Sequence, residues 1–200
     1  MNPGRYRLTL AVLLPAVLLA VVPASLDLLQ FHRRAILDGE LWRLFTGHWM
    51  HWSFSHLFWN CSLIAIAGAL LEQHSRRQLV LSIVGSALLI GPILLWFEPE
   101  LSSYVGLSGI AAACVASLVT SRIRNREGPV WVWYAIGLLL IGKITFELFN
   151  PTPVFAAPGA TAFQSVPLAH LVGALVGIGS AVARLPVPYP AEPVTGSTAV

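Results

Sequence analysis

The chain has 200 residues and a formal net charge of +3; 56% of its residues are hydrophobic and only 10% are charged. Soluble domains carry about a quarter charged residues, so an ordinary water-facing surface is excluded. A sequence pI near 9.2 would suit nucleic acid. The arginines, however, stand in short loops between apolar runs, a membrane-topology pattern rather than a phosphate-binding face.

Six apolar segments are expected to be helices, in chain order over residues 8–26, 54–71, 79–97, 105–121, 131–149 and 167–183. The first carries Pro15 and Pro23 and follows Arg5 and Arg7, as a signal peptide would. It is long for a signal's apolar core and five further segments follow, so it is read as a helix. Cys61 and Cys114 lie inside apolar runs and are expected to pack between helices rather than to form a disulfide. The sequon at Asn60 lies inside a run too, which argues against glycosylation.

Counting Lys and Arg by side sets the orientation. Arg5, Arg7, Arg76, Arg77, Arg122, Arg124, Arg126 and Arg184 fall on one side, and Arg33, Arg34 and Arg43 on the other. Lys143 is left inside the fifth segment. Both termini are therefore expected in the cytoplasm, with the first, third and fifth loops on the exterior or periplasmic face. Residues 1–184 form one membrane domain on this reading, and the Pro-rich stretch 185–200 is a disordered tail. The fifth loop, "NPTPVFAAPGATAFQS", is long, uncharged and proline-broken, the character of a mobile cover.

Polar side chains inside these segments carry the functional signal, because lipid makes them costly. They are His56, Asn60, Ser108, Lys143, Glu147 and His170, with His48 and His51 just before the second segment. Each has a plain explanation when taken alone: a membrane serine commonly bonds back to a carbonyl one turn earlier. Together they share a depth. His56 and Asn60 lie four apart on one helix face, and Ser108 and His170 each sit near the outer start of their helices.

A serine hydroxyl needs a base before it attacks a carbonyl, and neutral imidazole is the usual one. Ser108 with His170 supplies that pair. Asn60 and His56, with backbone N–H groups near Ser108, supply donors for the negative charge that develops on a cleaved peptide's carbonyl oxygen. Gly106 and Gly109 thin the fourth helix around the serine. Gly173 and Gly177 give the sixth helix a small-xxx-small face, so the two backbones can come close, although tight packing alone would explain the same glycines.

At these residues the chain resembles the rhomboid family of intramembrane serine proteases. The matching motifs are "GLSG" at 106–109, "AHLVG" at 169–173, "HWSFSHLFWN" with His51, His56 and Asn60, and "ELWRLFTGHW" with Trp42 and Arg43. The resemblance spans residues 35 to 180. It implies an all-α membrane protein, a six-transmembrane-helix bundle with Ser108 as nucleophile and His170 as general base. His56 and Asn60 would stabilise the oxyanion, and Trp42 and Arg43 would belong to a structural outer loop. It also implies an inner-membrane enzyme opening toward the periplasm, without cofactor or metal.

The short chain and "GKITFELF", with Lys143 and Glu147, further resemble the rhombosortase subgroup. Its members are paired with surface or secreted proteins that end in a Gly-Gly signal, an apolar helix and a basic tail, and are thought to cut that anchor. The implied partners are thus a transmembrane protein substrate and the lipid bilayer, not nucleic acid. One departure is Ala112, where many rhomboids carry an aromatic that stacks on the histidine; Trp52 or Phe58 would have to replace it, or the base is held differently.

Lys143 and Glu147, four apart, are read as a structural ion pair or as contacts to substrate or entering water, the former favoured. Three other functions compete. A general rhomboid would cut other single-span substrates, and a non-catalytic relative would bind membrane clients. A metal site built from His48, His51, His56 and His170 would lack the Cys or carboxylate to complete it.

Overall fold

The computed structural model describes residues 6–22, 24–150 and 165–183. Most of the fifth loop and all of the expected tail lie outside the described residues.

A chain surrounded by lipid must pair its own N–H and C=O groups, so apolar runs become helices. Helices lie over each of the six apolar segments: α1 (Arg7–Ala20), α5 (Phe54–His74), α6 (Arg76–Phe97), α7 (Ser108–Arg124), α8 (Val130–Phe149) and α9 (Pro167–Val182). Among the described residues, α5, α6 and α8 are long and apolar enough to cross a membrane, whereas α1 and α9 are apolar but shorter. Three short helices, α2 (Ser25–Leu29), α3 (Arg33–Leu37) and α4 (Arg43–Thr46), fill the first loop.

Two features depart from the sequence reading. The first segment does not run to residue 26. It stops at Ala20, Ala24 takes a left-handed φ of 63°, and α2 begins at Ser25, whose hydroxyl donates to the Leu19 carbonyl at 2.8 Å. The fold is also not wholly helical. The two-residue strands β1 (Phe31–His32) and β2 (Ser103–Tyr104) pair antiparallel, tying the first loop to the segment before α7.

The centre of the molecule is α7. Its small residues are buried almost without break from Gly109 to Ser121, with α5, α6, α8 and α9 around it. Toward α9 the backbones touch, since a methyl group at Gly173 would overlap the Gly109 carbonyl and one at Gly177 the Ala113 carbonyl. A buried serine cluster joins three helices there. Ser180 Oγ lies 2.9 Å from Ser82 Oγ and 2.8 Å from Ser117 Oγ, and donates to the Gly177 carbonyl at 2.8 Å. Cys61 and Cys114 are both free thiols.

Each end of the bundle is stitched by ionisable groups. At one end Glu72 of α5 takes over the N-terminus of α1. Its carboxylate accepts from Leu8 N at 3.1 Å, Thr9 N at 2.9 Å and the Thr9 hydroxyl at 2.8 Å. The first N–H groups of a helix lack intrahelical partners and favour an anion, so this carboxylate serves as the cap that α1 does not provide for itself. Arg77 and Arg124 bind the carbonyls of Ala183 and Ala181 at the same end.

Glu72→Ala is expected to destabilise the protein by about 3 kcal/mol, because two backbone donors and a hydroxyl lose a charged partner in a buried site. Thermal unfolding in detergent reads this directly. Glu72→Gln, which keeps an acceptor, is expected to lose less.

At the other end two arginines organise the first loop. Arg33 spans the C-terminus of α6, donating to Leu94, Leu95, Glu98 and Leu101 carbonyls at 2.6–3.1 Å. Arg43, nearly buried, pairs with Glu40 at 2.7 Å and donates to the Asp27 and Gln30 carbonyls. Trp42 Nε1 donates to Leu28 O. These contacts are architectural, and they keep the loop beside the segment that leads into α7.

Candidate active site

Ser108 is the first residue of α7 and is only partly buried. His170 lies in the first turn of α9, buried, with Nε2 2.8 Å from Ser108 Oγ. The close α7–α9 approach makes that distance possible, since serine is too short to span an ordinary helix gap.

The far side of the His170 ring is occupied as well. Nδ1 lies 2.7 Å from Glu147 Oε2 of α8, and Lys143 Nζ lies 2.7 Å from Glu147 Oε1 and 3.2 Å from His170 Nδ1. Glu147 is 3% exposed on a helix that otherwise shows most of its surface to the outside. Lys143 and Glu147 stand at ion-pair distance four residues apart on α8, and their contact with His170 was not anticipated. Spacing along α8 predicts the first, but nothing in the sequence orients α8 against α9. The ring of His170 is thus held by a carboxylate, while Trp52 and Phe58, the aromatics considered for that task, are substantially exposed and Phe58 packs edge-on against Trp59.

The second group of donors converges on Gly106. This glycine has φ +119°, a conformation that L side chains rarely adopt. A Cβ there would sit 2.7 Å from His56 Nε2 and 3.3 Å from Asn60 Nδ2. The absent side chain lets both polar groups approach the backbone closely, two residues before Ser108. Asn60 is buried, and its Nδ2 has no hydrogen-bond partner among the described residues. Gly106 is itself pinned, its N–H donating to the Gly47 carbonyl at 3.1 Å and its carbonyl accepting from the Tyr104 hydroxyl at 3.2 Å.

Gly109 and Gly173 sit in the α7–α9 contact beneath the serine. Tyr104 was not singled out from sequence. It lies in a loop where no helical spacing links it to Ser108, yet it is buried, its hydroxyl reaches toward Ser108, and burial pushes its phenol above the ordinary range.

The remaining histidines take other places. His48 is buried edge-on against Trp49 and Tyr104, and burial lowers its pKa to about 4. His51 stacks edge-on with His56 at 5.0 Å between ring centres; burial, then the neighbouring His56, lowers its pKa to about 3. Both are therefore neutral at physiological pH. Among the described residues no three His, Cys, Asp or Glu side chains gather as a metal set.

The model of the Rhomboid domain matches residues 38–186 of the chain. The chain belongs to the rhomboid family, whose members are in general intramembrane serine proteases acting on membrane-protein substrates. The matched domain and the apolar helices make it an integral membrane protein. No curated protein matches the chain.

Proposed function

We propose that this protein is an intramembrane serine endopeptidase in which Ser108 is the nucleophile and His170 the general base. The 2.8 Å approach of His170 Nε2 to Ser108 Oγ carries the reading. In acylation Ser108 Oγ bonds to the substrate's carbonyl carbon while its proton passes to Nε2. The peptide C–N bond then breaks, and Nε2 returns the proton to the leaving amine. Water, deprotonated by the same nitrogen, releases the acyl chain. Asn60 and His56, which gather against Gly106, and the first N–H groups of α7, which lack intrahelical partners, serve as donors to the oxyanion.

Six membrane crossings with both termini in the cytoplasm accompany this reading. Arg77 of α6 and Arg124 of α7 bind carbonyls at the C-terminal end of α9, at the end opposite Ser108, as a positive cytoplasmic side requires. The site then opens on the periplasmic face of the inner membrane.

The substrate we infer is the C-terminal anchor of a surface or secreted protein carrying a Gly-Gly signal. Lys143 and Glu147, the features of "GKITFELF" that point to the rhombosortase subgroup, are the residues found beside His170. The test is cleavage in reconstituted liposomes of a single-span substrate with Gly-Gly, an apolar helix and a basic tail, beside the same substrate with Val-Val. Preference for Gly-Gly by tenfold or more is expected. Equal cleavage would mark a general rhomboid protease, and cleavage of neither would favour a non-catalytic client-binding protein.

A further inference from the structure

We propose that Glu147 is a positioning residue that sets the tautomer of His170, a third member of the site, and that Lys143 is both its counter-ion and its competitor. The proposal rests on the Ser108–His170 reading and extends it. A base facing Ser108 must carry its lone pair on Nε2, so its proton must sit on Nδ1. What decides this is the partner at Nδ1, and two groups of opposite hydrogen-bonding character meet there, Glu147 Oε2 at 2.7 Å and Lys143 Nζ at 3.2 Å.

An ionised carboxylate only accepts, and an ammonium only donates. With Glu147 in place, Nδ1–H donates to Oε2, Lys143 donates to Oε1, and Nε2 is left to accept the serine proton. The pair is neutral overall, which is the least costly way to hold either charge in an apolar bundle. Remove the carboxylate, and Lys143 is the partner that remains at Nδ1. It would donate into the Nδ1 lone pair, move the imidazole proton to Nε2, and turn the base into a donor toward Ser108. A purely structural ion pair has no such consequence, because its loss affects folding alone.

The distinguishing experiment measures the rate of fluorophosphonate labelling of Ser108 in detergent, with melting temperature recorded for every variant. Glu147→Gln and Glu147→Ala are each expected to slow labelling by about 10³- to 10⁴-fold, as expected for an imidazole held in the wrong tautomer. Adding Lys143→Met to Glu147→Ala is expected to restore roughly tenfold, since water can then partner Nδ1. Glu147→Gln labelling within threefold of wild type, or a double variant no faster than Glu147→Ala, would overturn the assignment.

Loss of labelling in His170→Ala, with near-normal labelling in Glu147→Gln, would remove Glu147 from the site and leave the base reading intact. Absence of wild-type labelling would remove both. Should the Glu147 variants not fold, ¹⁵N spectra of histidine-labelled wild-type protein, assigned by difference against His170→Ala, decide the same point. A protonated Nδ1 with bare Nε2 is expected, and a protonated Nε2 contradicts it.

Discussion

Replacing Ser108 or His170 with alanine is expected to lower turnover of a transmembrane substrate by on the order of 10⁵-fold, with the folded protein intact. The two act as a unit, so each loss should cost about as much as both together. Ser108 contributes little packing, being partly exposed at the start of α7. His170 is buried, but its removal leaves Lys143 and Glu147 paired at 2.7 Å, so no charge is stranded. Cleavage assays in liposomes with S108A, H170A and the double variant check this. Additive losses would mean that the serine and histidine work separately, and unchanged cleavage in either variant would remove it from the chemistry.

Asn60→Ala is expected to lower kcat by roughly 10²- to 10³-fold with little change in KM. An oxyanion exists only in the transition state, so a donor aimed at it leaves ground-state binding alone. Asn60 Nδ2, beside Gly106 and without a hydrogen-bond partner among the described residues, is what a pre-set donor looks like before substrate arrives. Gly106→Ala is expected to be at least as damaging, since it strains a backbone at φ +119° and drives a methyl group into the His56 ring. Kinetics on Asn60→Ala separate this from a binding role, for which KM would rise and kcat would hold.

The parts of this arrangement legible in the sequence were those whose cost shows in one dimension. Ser108, His56, Asn60 and His170 stand out because polar groups in apolar runs need a reason, and their positions from the helix starts place them at one depth. Glycines four apart pointed to the close α9 contact on the same logic. What stayed hidden depended on helix rotation and on long-range capping. Glu147 sits 23 residues from His170, and its spacing from Lys143 explains only the pair within α8. Glu72 reaches α1 across more than sixty residues, and Arg33 reaches the end of α6 over a similar span. Neither contact has a local pattern. The early stop of α1 and the β1–β2 ladder arise from the way the first loop folds back onto the segment leading to Ser108.

The most direct single test is peptide mapping, by mass spectrometry, of the protein after reaction with a fluorophosphonate in detergent. An adduct confined to Ser108 in the wild type and absent in His170→Ala is expected. An unmodified Ser108 in the wild type, or one that reacts equally fast without His170, would contradict a serine activated by that imidazole.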